Sequence, residues 1–160
     1  MTAGPSTQAT SAPTQVRIER VFDAPRELVW RAWTEPEMFM RWYGPAHMTT
    51  YRCEIDLRVG GSRVIGMRSL DGQEYDSTGV FLEVEPPAQF VATETPVGMD
   101  DAPETTVTVT LEALADGKTK VVVTQAGLPS EQWATGAGQG WNQALDKLVG
   151  ILDRARLSAE

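Results

Sequence analysis

The chain has 160 residues, of which 22% are charged and 41% hydrophobic, and its formal net charge is −8. That length suits one ordinary domain with its own core, and the composition excludes a disordered chain, a collagen-like fibre and a disulfide scaffold. The acidic balance argues against nucleic acid, and one cysteine (Cys53) with one histidine (His47) excludes a zinc site built from several such ligands.

Residues 2–15 carry no charge, no aromatic ring and no large aliphatic side chain. Such a stretch cannot bury enough apolar surface to offset its ordering entropy, so residues 1–15 are expected to form a disordered tail. It also lacks the basic start and apolar centre of a secretory signal, and no later run approaches the ~20 apolar residues of a membrane span. A single cytoplasmic domain from Val16 to Arg156 is therefore expected, with no membrane span.

Within it, Val16, Ile18 and Phe22 alternate with Arg17 and Glu19, the period of a half-buried strand, until Asp23-Ala24-Pro25 ends the run. Leu28, Val29, Trp30, Ala32 and Trp33 cluster on one helical face. Thr34 and Glu37 have capping-box spacing, which predicts a second short helix carrying Met38, Phe39, Arg41 and Trp42 and ending before Gly44-Pro45.

Six further strands follow. Tyr51, Cys53, Ile55 and Leu57 alternate with charged residues, Gly60-Gly61 turns the chain, and Ser62–Ser69 runs to a hairpin signal at Asp71-Gly72. Val80, Leu82 and Val84 alternate with Phe81 and Glu83 as far as Pro86-Pro87, and Phe90–Thr95 forms the next strand. Thr105, Val107, Val109 and Leu111 alternate with Thr106, Thr108 and Thr110, and Asp116-Gly117 leads into Val121–Gln125. Turns at hairpin spacing predict an antiparallel sheet.

After Ser130, a cap residue, the period becomes helical: Trp133, Ala137, Trp141, Leu145, Leu148, Leu152 and Ala155 recur at steps of three and four. One apolar sheet face and one apolar helix stripe must cover each other, which predicts an α+β fold with the long helix lying across a curved sheet.

This order of elements resembles the START-like, helix-grip (SRPBCC) superfamily: about seven antiparallel strands wrapped around a long C-terminal helix, with two short helices after the first strand. Within it, Ala24-Pro25, Val29-Trp30, Trp42-Tyr43-Gly44-Pro45, Asp56 to Gly61, Gly79 through Pro86-Pro87, and Gly140-Trp141 with Leu145 and Leu148 resemble the family named for the activator of a heat-shock-protein ATPase. The resemblance implies a cavity between sheet and helix for a small hydrophobic or amphipathic molecule. It also admits a cyclase- or hydrolase-like enzyme using the same cavity, or a chaperone ATPase co-factor linked to stress response. The eukaryotic activators carry a further N-terminal domain without a counterpart here, which ranks the chaperone role third.

Candidate lining residues are the large side chains Trp42, Tyr43, Met67, Phe81, Phe90, Trp133, Trp141 and Leu145. His47 would titrate near neutrality and is the default general base, although a surface histidine is the commoner outcome. Arg63 and Arg68 lie on opposite faces of one strand, so one of them points inward, where a guanidinium could hold a ligand carboxylate or enolate. Cys53 reads as a small buried residue with no cation beside it on its face. Asp100, Asp101 and Glu104 read as a solvated loop. Gly136-Ala137-Gly138-Gln139-Gly140 lacks the spacing of a dinucleotide loop and predicts close helix approach, or local mobility at a cavity mouth. No catalytic residue, metal or cofactor is assigned.

Overall fold

The computed structural model describes residues 14–159. The expected tail lies outside them except for Thr14 and Gln15, which belong to the first strand. The elements are β1 (Thr14–Phe22), α1 (Arg26–Thr34), α2 (Pro36–Phe39), β2 (Met48–Ile55), β3 (Ser62–Ser69), β4 (Glu74–Glu85), β5 (Gln89–Pro96), β6 (Thr105–Ala113), β7 (Thr119–Leu128) and α3 (Glu131–Ala159), with a short 3-10 turn at Ala115–Gly117. The seven strands form one sheet in the order β1-β7-β6-β5-β4-β3-β2, and every neighbouring pair is antiparallel. Seven antiparallel strands, two short helices after β1 and a long C-terminal helix make the α+β helix-grip fold. Among the described residues no helix is long and apolar enough to cross a membrane.

The core forms where the two apolar surfaces meet. Val107, Val109 and Leu111 of β6 and Val121 and Val123 of β7 are buried against Ala144, Leu145, Leu148 and Leu152 of α3 and against α1. Aromatic rings fill the widest part. Trp33 lies edge-on to Trp42 at 4.7 Å and to Phe90 at 6.1 Å, and Phe39 stacks on Tyr43 at 4.4 Å. Edge-to-face packing lets large rings fill a curved space without the repulsion of a face-to-face pair.

Three local expectations are corrected. The capping box does not form: the Thr34 hydroxyl is buried and donates to the Trp30 carbonyl at 2.8 Å, and α2 starts after Glu35, without a side-chain cap, and ends at Phe39. In β4 the register shifts between Phe81 and Glu83, so Phe81 and Val84 face inward while Val80 and Leu82 stay exposed. A Cβ at Gly79 would stand 1.8 Å from the Thr93 carbonyl oxygen, so only glycine lets β5 come this close. In β2 a shift between Thr50 and Arg52 separates Tyr51 from the Cys53 face. The Tyr51 hydroxyl donates to Asp76 at 2.6 Å, and the Arg68 guanidinium lies 4.4 Å from its ring centre. The predicted cap of α3 does form, with the Trp133 N–H donating to the Ser130 hydroxyl at 3.3 Å.

Candidate functional site

The inner face of the sheet changes character along its strands. On β5 the inward positions run Phe90, Ala92, Glu94; on β6 they run Leu111, Val109, Val107, Thr105; on β7 they run Val121, Val123, Gln125. The register places Glu94 beside Thr105 and Gln125 beside Val107. Three adjacent strands therefore exchange an apolar inner face for a polar one at the same end. Over this end lie the first turns of α3, which reach beyond the core.

A cavity of about 290 Å³ opens here. Glu94, Thr105 and Gln125 form its sheet wall, with Met67 beside them. Tyr43, Gly44 and Pro45 close one end, and Pro96 and Pro103, at the two ends of the β5–β6 loop, border another. Trp133, Gly136, Ala137, Gly140, Trp141 and Ala144 of α3 form the roof. A Cβ at Gly136 would meet nothing within 4 Å, and one at Gly140 would come no nearer than 3.5 Å, to Pro45. The volume thus exists in part because two residues one helical turn apart have no side chains.

Polar atoms of the wall are mutually bonded. The Trp141 indole N–H donates to Gln125 Oε1 at 2.9 Å, Gln125 Nε2 to Thr105 Oγ1 at 3.0 Å, and Thr105 Oγ1 to the Glu94 carbonyl at 3.2 Å. The Tyr43 hydroxyl and Arg63 Nη1 both donate to Glu94 Oε1, at 3.4 and 3.3 Å. Burial, and then the Glu94 carboxylate, push the Tyr43 phenol far above its ordinary value, so it stays a neutral donor. The loop after α2 is tied to α3: Lys147 Nζ donates to the carbonyls of Pro45 and Met48, and Gln143 Oε1 accepts the Ala46 N–H at 2.9 Å. Burial lowers the Lys147 pKa.

The expected lining residues divide into two groups. Tyr43, Met67, Trp133 and Trp141 line the cavity. Trp42, Phe81, Phe90 and Leu145 do not; they are at most 2% exposed and are consumed by the core, where each is enclosed by other side chains. His47 is exposed on the loop before β2 and does not reach the cavity. Of the two arginines Arg63 points inward and is 2% exposed, while Arg68 pairs with Glu74 at the surface. Arg63 does not offer its guanidinium to the cavity. It bonds Glu94 and lies 5.7 Å from the ring centres of Phe39 and Phe90, with Nη2 buried and unpaired. Cys53 does have a cation nearby, since Arg63 acts to lower its pKa, but burial outweighs this and pushes the thiol up to about 11.

Glu94, Thr105 and Gln125 escaped the sequence reading, although a signal was present. Each is a polar residue in phase with an apolar inward alternation, at the end of its strand.

Fold and cavity define a START-like helix-grip domain. The family model described as Activator of Hsp90 ATPase homolog 1-like protein matches residues 23–153, and the chain belongs to that family. Its fold and family are those of ligand-binding or co-chaperone-like domains. A crystal structure of a Chromobacterium violaceum protein is similar at 27% identity and a TM-score of 0.80, over 86% of this chain and 96% of that one. A Mesorhizobium loti protein is similar at 28% identity and a TM-score of 0.72, over 88% and 98% of the two chains. A Silicibacter pomeroyi protein named AHSA1 shares the fold at 22% identity and a TM-score of 0.79, over 89% and 99%. No curated protein matches the chain.

Proposed function

We propose that the chain binds a small hydrophobic or amphipathic molecule between the sheet and the first turns of α3, with Tyr43, Met67, Trp133 and Trp141 among the contact residues. The observation that carries this reading is the cavity itself. At about 290 Å³ it falls just short of the roughly 300–1,000 Å³ typical of drug-sized sites, which suits a smaller molecule, and it is largely apolar with a few convergent polar groups. A core packed only for stability leaves few voids larger than a water molecule. The test is native mass spectrometry after exposure to a lipid and metabolite extract, set against the denatured mass. A reproducible mass excess, lost on denaturation and absent from a folded Gly136→Leu variant whose side chain occupies the space, supports the reading. Protein free of any adduct, or an adduct unchanged in that variant, overturns it.

The family's description favours a second reading, a co-factor of a chaperone ATPase. Stimulation of ATP hydrolysis by an Hsp90-type chaperone on adding the purified chain supports it, and an unchanged rate counts against it. The first reading has the more direct support, because it rests on a feature of this chain.

A further inference from the structure

Accepting that the cavity binds a small molecule, its wall also has a chemical preference. Among the described residues Glu94 is the one carboxylate that lines it, and the Glu94 side chain is 21% exposed. Both protein donors, Tyr43 and Arg63, bond the same oxygen, Oε1. Among the described residues Oε2 accepts no hydrogen bond. A carboxylate oxygen accepts more than one bond, so on this cavity-lining residue Oε2 retains its acceptor capacity. The positive partner cannot offset this for a ligand, because Arg63 is buried and does not line the cavity, and among the described residues no lysine or arginine does. The other polar atoms of the wall are largely committed to one another.

The field outside has the same sign. The β5–β6 loop, of which Pro96 and Pro103 line the cavity, carries Asp100, Asp101 and Glu104, all exposed, on a chain of net charge −8. A negative surround enriches cations and repels anions before contact is made.

We propose that Glu94 Oε2 is the head-group acceptor of this cavity, and that its ligands are neutral or cationic amphiphiles bearing a hydroxyl or amine donor, alkyl carboxylates being rejected. The apolar body then lies against Met67, Trp133, Ala137 and Trp141, while the donor reaches the sheet wall. The inward arginine, which the sequence offers as a carboxylate receptor, instead holds Glu94 Oε1 in place.

Four probes with one apolar body test this: butylbenzene, 4-phenyl-1-butanol, 4-phenylbutylamine and 4-phenylbutyrate, titrated against the intrinsic tryptophan fluorescence and by calorimetry at neutral pH. The amine is expected to bind tighter than the carboxylate by roughly tenfold or more, the increment of one hydrogen bond to a charged group, with the alcohol between them. In Glu94→Gln that ratio is expected to fall to about threefold or less. Should this variant fail to fold, the order measured on the wild-type chain decides alone. A carboxylate bound as tightly as the amine, or an order unchanged in a folded Glu94→Gln, overturns the proposal. Butylbenzene binding as well as the amine and alcohol overturns it while leaving the cavity reading intact. Failure of all four probes to bind overturns both.

Discussion

Arg63 and Glu94 meet at 3.3 Å across the inner face of the sheet, yet their surroundings are unequal: the arginine side chain is 2% exposed and the glutamate 21%. Glu94 faces a cavity that water can enter, whereas Arg63 is enclosed by protein and faces two phenyl rings. Removing one partner of such a pair therefore has a cost that depends on which charge is left behind.

Glu94→Ala leaves a buried cation without its counter-charge, and the expected loss is about 3–5 kcal/mol. Arg63→Met leaves a carboxylate that water can reach and keeps an apolar stem between Phe39 and Phe90, so the expected loss is about 1–3 kcal/mol. Urea unfolding of both variants measures the asymmetry. Equal losses, or a larger loss for Arg63→Met, would contradict the difference in burial.

Gly136 lies inside a helix with open space where a Cβ would stand. Gly136→Ala removes a helix penalty of about 1 kcal/mol without a clash, which predicts a rise in Tm of about 2–4 °C for a domain of this size. Gly44→Ala should do the reverse. Its backbone sits at φ +100° and the new methyl would lie 2.9 Å from the Met67 sulfur, so a loss of about 1–3 kcal/mol is expected. Thermal unfolding of the pair checks both signs.

Burial raises the folded-state pKa of Cys53 to about 11 and raises that of Tyr43 as well. Between the ordinary thiol pKa and 11 the unfolded chain has released its proton while the folded chain has not, so stability falls as pH rises through that window. The urea midpoint is expected to drop between pH 8 and pH 10, and to drop less in Cys53→Ala. A midpoint that climbs over this range contradicts the assignment. At pH 8 the same shift predicts alkylation of Cys53 on the order of a hundredfold slower than for a free cysteine.

Gln125 accepts from the Trp141 indole and donates to Thr105. Gln125→Ala strands the buried indole N–H, with an expected loss of about 1–3 kcal/mol by urea unfolding. A neutral result would mean that the indole finds another acceptor.

The strands and the long helix were legible because each buries one face, and a period of two or of 3.6 survives in the residues themselves. The exceptions arise where distant backbone intervenes. A register shift between Phe81 and Glu83 puts Phe81 and Val84 on the same inward face, and nothing in the run from Val80 to Val84 records it. The Thr34 hydroxyl bonds the Trp30 carbonyl instead of capping α2, because α1 continues through it. The cavity was legible only in part. Aromatic surplus marked the region, but size does not distinguish a ring that faces a void from one that seals the core. Trp42 and Phe90 are enclosed by other rings, whereas Tyr43 and Trp141 stand at the end where Gly136 and Gly140 leave space. The polar wall was readable in principle from Glu94, Thr105 and Gln125, each in phase with valines, alanine or phenylalanine on its own strand.

The strand order places β1 and β2 at opposite edges, and among the described residues β1 finds its only strand partner in β7. The register joins Val16 to Gln125 and Phe22 to Thr119, across roughly a hundred residues of intervening chain. During synthesis the segment bearing Trp30, Trp33 and Trp42 therefore leaves the ribosome well before β7, the strand beside β1, has been made. The meander from β2 to β6 can assemble from neighbours as it emerges, but closure of the core waits for nearly the whole chain, an ordering that slows folding and prolongs the exposure of those indoles.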